Sequence, residues 1–448
     1  MNKIRILAGL SWAQKLFLAL IFISPFPLGS NRPMAWLAEL GLILVLLLAS
    51  RSRISSALAL GKRLGGRSAW WLIFSVAAWF LLLLLQAVPL EFHVWTALNR
   101  ADTQYLDIVF GSGFSGNAPI AFDLSSLIDE YLKSLLYVGV LVLAFGYGSS
   151  EKFRAALYSV VLASVLANLA YAAVRVLFVA QGEDGAQWTG GFANYNHFAL
   201  HLVLGFMLWL GRKAISNRRV DAQPLHSSPM HHCAVGLVLL IAIPVAGSRG
   251  ALLALVAGGT AAMLLMRQGG VTFGLKVRRS TIGLTVAVLS VVAMLGAVGE
   301  KLAKMDFSEI HRIQIWRSAW EMVEQFPFFG IGGGAFQWVF PYFKSDDLID
   351  KTYVYAHNEY LHFLIEYGIT GVLIAVSFVA GLLLWMTRAR AMSLISAREY
   401  SLFWLLSIPL AIHSLVDFPM HIPALAMLWM SVLGVILGSS SKRHKAQR

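Results

Sequence analysis

Long, uninterrupted apolar runs constrain this chain more than anything else in it. Those at 13–30, 33–50, 69–88, 126–148, 155–180, 281–299, 360–386, 400–417 and 421–438 are each long enough to cross about 30 Å of hydrocarbon as a helix. Shorter runs at 196–211, 232–248 and 250–266 bring the candidate spans to about twelve, if they extend into their flanks. Soluble domains carry roughly 25% charged residues, whereas this chain carries 13% and is 58% hydrophobic. The expected fold is an all-α polytopic membrane protein of about twelve transmembrane helices, with one large loop, 300–360, holding short amphipathic helices. Three regions are expected: N-terminal spans over 1–185, a second membrane region over 186–438, and a basic tail over 439–448.

Lys and Arg outnumber Asp and Glu by 36 to 23, a net charge of +13. In a membrane protein such an excess gathers in cytoplasmic loops, so no nucleic-acid partner is implied. With the N-terminus inside, the inner segments hold 25 Lys and Arg and the outer ones 9. Both termini are therefore expected in the cytoplasm, with 89–125 and 300–360 outside. Ser24-Pro25-Phe26-Pro27 reads as a kink in the first span rather than a cleavage site. Cys233 is the sole cysteine, which excludes an intrachain disulfide and a cysteine-rich metal site.

The loop over 300–360 is the longest break in the apolar pattern. Ser308 to Gln325 reads as a helix, with Ile310, Ile313, Trp316, Trp320 and Val323 on one face. Asp306 with Glu309 resembles a capping box, and Pro327 ends the helix. The helix is expected to lie along the membrane surface, tryptophans inward. Arg312 and Arg317 are candidate anion ligands, although Arg317 is also placed to pair with Glu321. The run Gly330-Ile331-Gly332-Gly333-Gly334 suits either an anion-binding nest or a tight turn. His357 at the mouth of the next span is a candidate general base, with Glu359 to orient it or replace it. A zinc helix needs His-Glu-x-x-His. His357 and His362 are five apart and point roughly 140° apart at about 3.6 residues per turn, so no metal site is expected.

Other polar residues stand at the outer ends of spans. Arg249, in Gly247-Ser248-Arg249-Gly250, lies at the membrane interface, where a charge is costly and marks a candidate site. A snorkelling arginine at a helix end is the plainer alternative. Arg175, inside the fifth span, could add positive charge to a shared cavity. Asn194, Asn196 and His197 precede the sixth span, where asparagine also serves as a helix cap. His413 and Asp417 are four apart on one helical face, suited to a buried hydrogen-bonded pair.

Taken in order, these pieces resemble the O-antigen ligase and Wzy-polymerase superfamily of bacterial inner-membrane glycosyltransferases. The matching stretches are Gly191-Phe192-Ala193-Asn194-Tyr195-Asn196-His197, then Ser248-Arg249-Gly250, then Arg312 with Trp316-Arg317 and the glycine run. His357-Asn358-Glu359-Tyr360-Leu361, Glu366-Tyr367-Gly368 and His413-Ser414-Leu415-Val416-Asp417-Phe418 complete it, over roughly 190–420. The resemblance implies transfer of a glycan from undecaprenyl pyrophosphate to an acceptor hydroxyl at the periplasmic face, in lipopolysaccharide or exopolysaccharide biosynthesis. The acceptor would be the lipid A core for a ligase or another lipid-linked repeat for a polymerase. It implies a multi-pass protein of the bacterial inner membrane, with neither metal nor cofactor. Carried over by position, Arg249 and Arg312 would lie near the pyrophosphate and His357 near the acceptor. A single displacement would invert the anomeric centre. A glycan transporter, or a non-catalytic membrane component of a polysaccharide assembly machine, is the alternative. Against a transporter, the spans lack midplane charge pairs and the polar residues gather at their outer ends.

Overall fold

The computed structural model describes residue 7 and residues 9–99, 116–179, 187–214, 229–268, 308–348 and 351–446. The chain is helical nearly throughout. Its first helices are α1 (Trp12–Ile23), α2 (Pro33–Ala49), α3 (Arg51–Gly65), α4 (Arg67–Ala87) and the short α5 (Phe92–Leu98). There follow α6 (Leu124–Tyr147), α7 (Glu151–Val174), α8 (Tyr195–Ala214), α9 (Pro229–Val245), α10 (Arg249–Leu253) and α11 (Gly259–Gln268). The last five are α12 (Ser308–Gln325), α13 (Phe336–Val339), α14 (Glu359–Ala391), α15 (Ala397–His413) and α16 (Pro423–Ala446). Strand is confined, among the described residues, to an antiparallel pair, β1 (Pro89–Leu90) and β2 (Ala118–Pro119).

Among the described residues, three helices are long and apolar enough to cross a membrane: α4, α7 with its extension to Phe178, and α14. The pair α2 and α3 adds a fourth span bent by 74°. α1, Cys233–Val245, Arg249–Leu265 and Pro423–Ser439 are shorter apolar helices. α6, α8 and α15 occupy expected positions as well, but α6 carries Asp129, Glu130 and Lys133 near its start. The expected span at 281–299 and the Asp306 cap lie outside the described residues.

Local sequence sets where helices begin. Ser11 with Gln14 and Ser396 with Glu399 form capping boxes for α1 and α15. Asp123 and Ser150 cap α6 and α7. Small residues then let helices meet. α16 lies along α6, and a β-carbon on Gly438 would collide with the Phe145 carbonyl oxygen. Such close backbone approach supplies the dispersion contact that replaces a hydrophobic driving force in lipid.

The two ends of the bundle differ. At one, Ser50 meets the Tyr147 hydroxyl at 2.5 Å and Arg154 pairs with Glu399 at 3.1 Å. Arg388 there approaches Gly66, and Lys152 approaches Gly9. At the other, Gly29 donates to the Gly191 carbonyl at 3.1 Å and accepts from Ala424, also at 3.1 Å. That second end carries an apolar cap of its own, in which Trp95 and Ala118 pack with Ile315, Met322, Phe326, Phe336 and Phe340. Both expected outer loops thus share one cap.

In α12 the buried stripe is Ile315, Ala319 and Met322, continued by Phe326 just past its end, while Ile313 and Trp320 are about half exposed. The helix bounds match the apolar periodicity. The buried face is the neighbouring one, which joins the apolar cap of Trp95, Phe336 and Phe340. Trp316 points its indole N–H at the Ala356 carbonyl, 2.9 Å away.

Candidate functional site

α14 is broken at Gly368, whose φ of 59° and ψ of −167° are not helical. A β-carbon there would strike the Phe328 backbone, so only glycine fits. The glycine run fills the break. Ile369 and Thr370 donate to the Pro327 and Phe328 carbonyls, and Ile331 and Gly332 donate to those of Ile365 and Glu366, at 2.9–3.1 Å. Gln86 of α4, fully buried, donates to the Phe329 and Glu366 carbonyls at 2.7 and 2.8 Å. The run is a turn with positive φ at Gly330, Gly332 and Gly334. Its last glycine, Gly334, gives a backbone hydrogen bond to the buried Glu366 carboxylate, and Phe336 N–H just beyond the run donates to Oε1 at 3.3 Å.

Above the break, Asn358 caps α14, its Oδ1 accepting from Tyr360 and Leu361 N–H at 3.1 Å. His357, the residue before the cap, has φ of 51°. A non-glycine residue is held in this region at a cost of roughly 1–3 kcal/mol, and such strain clusters at functional sites. The conformation brings His357 Nδ1 to 3.8 Å from Asp417 Oδ1. His197 Nε2 of α8 lies 3.5 Å from the same oxygen, and His413 Nε2 of α15 lies 3.6 Å from Oδ2. These are ion-pair rather than hydrogen-bond distances. Phe418 N–H supplies a hydrogen bond to Oδ1 at 3.0 Å. Asp417 itself is 1% exposed. Burial alone would raise its carboxyl, but the three imidazoles outweigh that and hold it well below the usual range. His197 and His413 are buried, whereas the His357 side chain is 29% exposed. Of the three, His357 alone presents an exposed face.

It faces a cavity of about 650 Å³ that reaches to Arg32, Asp129, Lys133 and Tyr355. A groove of about 620 Å³ between α4 and α14 is almost wholly apolar and holds none of these groups.

Glu359 does not orient His357. Its carboxylate takes His421 Nδ1 at 2.7 Å and Met420 N–H at 3.0 Å. Its backbone N–H donates to the Ser414 and Asp417 carbonyls, which fastens α14 to the α15–α16 turn. Asn194 accepts from Asn196 N–H at 2.8 Å, so it works as a cap for α8. Arg175 donates to Thr189 Oγ1 and the Gly190 carbonyl and holds that loop. Arg249 starts α10 beside the cluster: a β-carbon on Gly250 would lie 2.8 Å from Val416 and 3.2 Å from the His413 ring. No described contact joins Arg312 or Arg317 to Asp417 or its histidines; Arg312 is half-buried and Arg317 exposed.

A second constellation lies beneath. His362, Glu366 and His421 bring their ligand atoms within 4.8 Å of one another, a set suited to a cation. The five-residue gap from His357 to His362 hid it, because the relevant spacing is His362 to Glu366, four apart on one face. The residues are also mutually matched. His362 Nε2 lies 3.2 Å from Glu366, and its Nδ1 faces Ala356 N–H. Burial would push the His421 imidazole down, but the adjacent Glu359 carboxylate raises it from 6.5 to about 9. A divalent ion would have to displace that proton.

This pair makes the fastening pH-dependent. A raised imidazole stabilises the fold fully below its unfolded value near 6.5, and that contribution is lost as pH climbs through about 9. Thermal unfolding in detergent should show a loss of order 3 kcal/mol across that window. His421→Gln should flatten the dependence; an unchanged slope would remove His421 as its source.

A family model described as O-antigen ligase matches residues 234–376. The matched segment carries Arg249, Arg312, Arg317, the glycine run, His357 and Glu359, whereas His197, His413 and Asp417 lie outside it. No curated protein matches the chain.

Proposed function

From this O-antigen ligase domain and the outward-facing His357 backed by buried Asp417, we propose that the chain is a membrane glycosyltransferase. It moves a glycan from undecaprenyl pyrophosphate to an acceptor hydroxyl at the periplasmic face of the bacterial inner membrane. The observation that carries the reading is the strained His357, turned out of α14 onto a cavity with an anion behind it. Orientation rests on the charge bias: Arg154, Arg388 and Arg390 lie at the opposite end of the bundle from His357, as cytoplasmic residues should.

In the proposed step the acceptor oxygen bonds to the anomeric carbon as the bond from that carbon to the pyrophosphate oxygen breaks. His357 takes the hydroxyl proton, and Asp417 stabilises the imidazolium that results. Undecaprenyl pyrophosphate departs with an added negative charge, which Arg249 and Arg312 offset by fork-shaped donation. One such displacement inverts the anomeric centre, and no metal is required.

The test is transfer by purified protein in nanodiscs, given lipid-linked repeats with and without lipid A core. Glycan arriving on the core identifies a ligase, and chain growth without it a polymerase. Neither product, with the donor bound, would sink the reading. Arg249→Lys should weaken donor binding nearly as much as Arg249→Ala, since lysine keeps the charge but lacks the fork. EDTA should leave turnover unchanged; loss restored by a divalent ion would place a cation at His362, Glu366 and His421.

A further inference from the structure

The apolar groove between α4 and α14 has one charged end. Trp70, Trp71 and Phe74 line it from α4, Leu373 and Ile374 line it from α14, and Arg67 stands at its foot. Its other polar groups are spent on one another. The Trp71 indole N–H donates to Ser377 Oγ, and the Ser75 hydroxyl lies 3.0 Å from the same oxygen. What stays open is hydrocarbon surface: Trp70, Trp71, Phe74 and Leu373 are all exposed.

Arg67 is not alone at the foot. The Arg388 guanidinium, from the far end of α14, lies 3.4 Å from where a β-carbon on Gly66 would stand, next to Arg67 in the chain. Both arginines are exposed, and no ion pair among the described residues engages either. Two unmatched cations at the mouth of an apolar slot suit an amphiphile with an anionic head. Length narrows the class. The lining of α4 runs from Arg67 to Ala78, about 16 Å at about 1.5 Å per residue. Half of a hydrocarbon core of about 30 Å is about 15 Å, so the groove matches one acyl chain of one leaflet. A polyprenyl donor with its head at the His357 end would bring no charge to Arg67.

We propose that this groove is a binding site for an anionic glycerophospholipid, with the phosphate on Arg67 and Arg388 and one acyl chain between α4 and α14. The site is separate from the cavity at His357, which lies at the opposite end of the bundle. Its effect is on the scaffold. α4 carries Gln86, which clasps the backbone beside the Gly368 break, so a lipid seated between α4 and α14 braces the pair that holds the break.

The experiment uses full-length protein in detergent, titrated with phosphatidylglycerol or phosphatidylcholine of identical acyl chains, with bound lipid counted by native mass spectrometry. Phosphatidylglycerol should bind about tenfold more tightly, the order expected of two basic groups beside an anionic head. Arg67→Gln combined with Arg388→Gln should lower it to the phosphatidylcholine value and leave phosphatidylcholine unchanged. Ala78→Phe, which fills the groove, should weaken both lipids. Both arginines are exposed and unpaired, so the lipid-free melting temperature of the double variant should stay at the wild-type value. Glycerol phosphate, the head without chains, should not compete. Equal affinity for the two lipids in the wild type, a preference that survives the double variant, or competition by glycerol phosphate overturns the proposal. Displacement of phosphatidylglycerol by equimolar undecaprenyl phosphate overturns it too, because the groove then belongs to a polyprenyl lipid.

Discussion

His357→Ala should lower turnover by about 10²–10⁴, the usual contribution of a positioned general base, while leaving donor affinity at its wild-type value. The separation follows from geometry. His357 opens on the cavity, whereas Arg249 is not among its lining residues and starts the helix whose Gly250 packs against His413 and Val416. Removing the imidazole takes away a proton acceptor without touching an anion ligand, but alanine is as strained as histidine at this positive φ, so the melting temperature is recorded beside the rate. Single-turnover rates with bound donor are the measurement. Wild-type turnover would take His357 out of the chemistry. Glu359 is then a poor substitute, since both of its carboxylate oxygens are engaged with His421 and Met420.

Asp417→Asn should lower turnover by about 10²–10³, less than the roughly 10⁴-fold known for a buried aspartate hydrogen-bonded to its histidine. The gap between carboxylate and imidazole is wider here, 3.8 Å. The substitution keeps shape and can keep the Phe418 N–H bond, but it removes the only anion among three imidazoles in the described site. An imidazolium at His357 then goes unstabilised, so the acid limb of the pH–rate profile should move to lower pH. A purely structural role would change the melting temperature and leave that limb in place. Stability should fall too: a depressed carboxyl stabilises the fold above its ordinary range and loses that only as pH drops through its folded value. At neutral pH the asparagine variant lacks it entirely.

Much of the candidate site was legible as residue types in a setting. Arg249 between two short flanks, His357 before an apolar run, and His413 four before Asp417 each signal chemistry at a membrane edge. Glu359 was legible only as a carboxylate near a histidine, and the structure turns it to a different histidine, His421. Arg32, Asp129 and Lys133 gave no local signal. Each looks like an ordinary charge at a helix end until α2, α6 and the 336–358 segment are set side by side.

The sequence by itself determined that the chain is helical and apolar, that Ser308–Gln325 is a helix, and that cations concentrate in alternate loops. Those properties are local: chain stiffness, hydropathy and turn chemistry act over one or two helical turns. Only the tertiary structure decided that His197, His357 and His413, from three separate helices or their mouths, surround Asp417. Periodicity reports that a helix has a face but not what that face meets, as α12 shows by burying Ile315 and Ala319 in place of Ile313 and Trp320. The partner of each face is set by packing across more than 200 residues of chain, where close approach at Gly368 and Gly438 and the strained backbone at His357 fix which side chains converge.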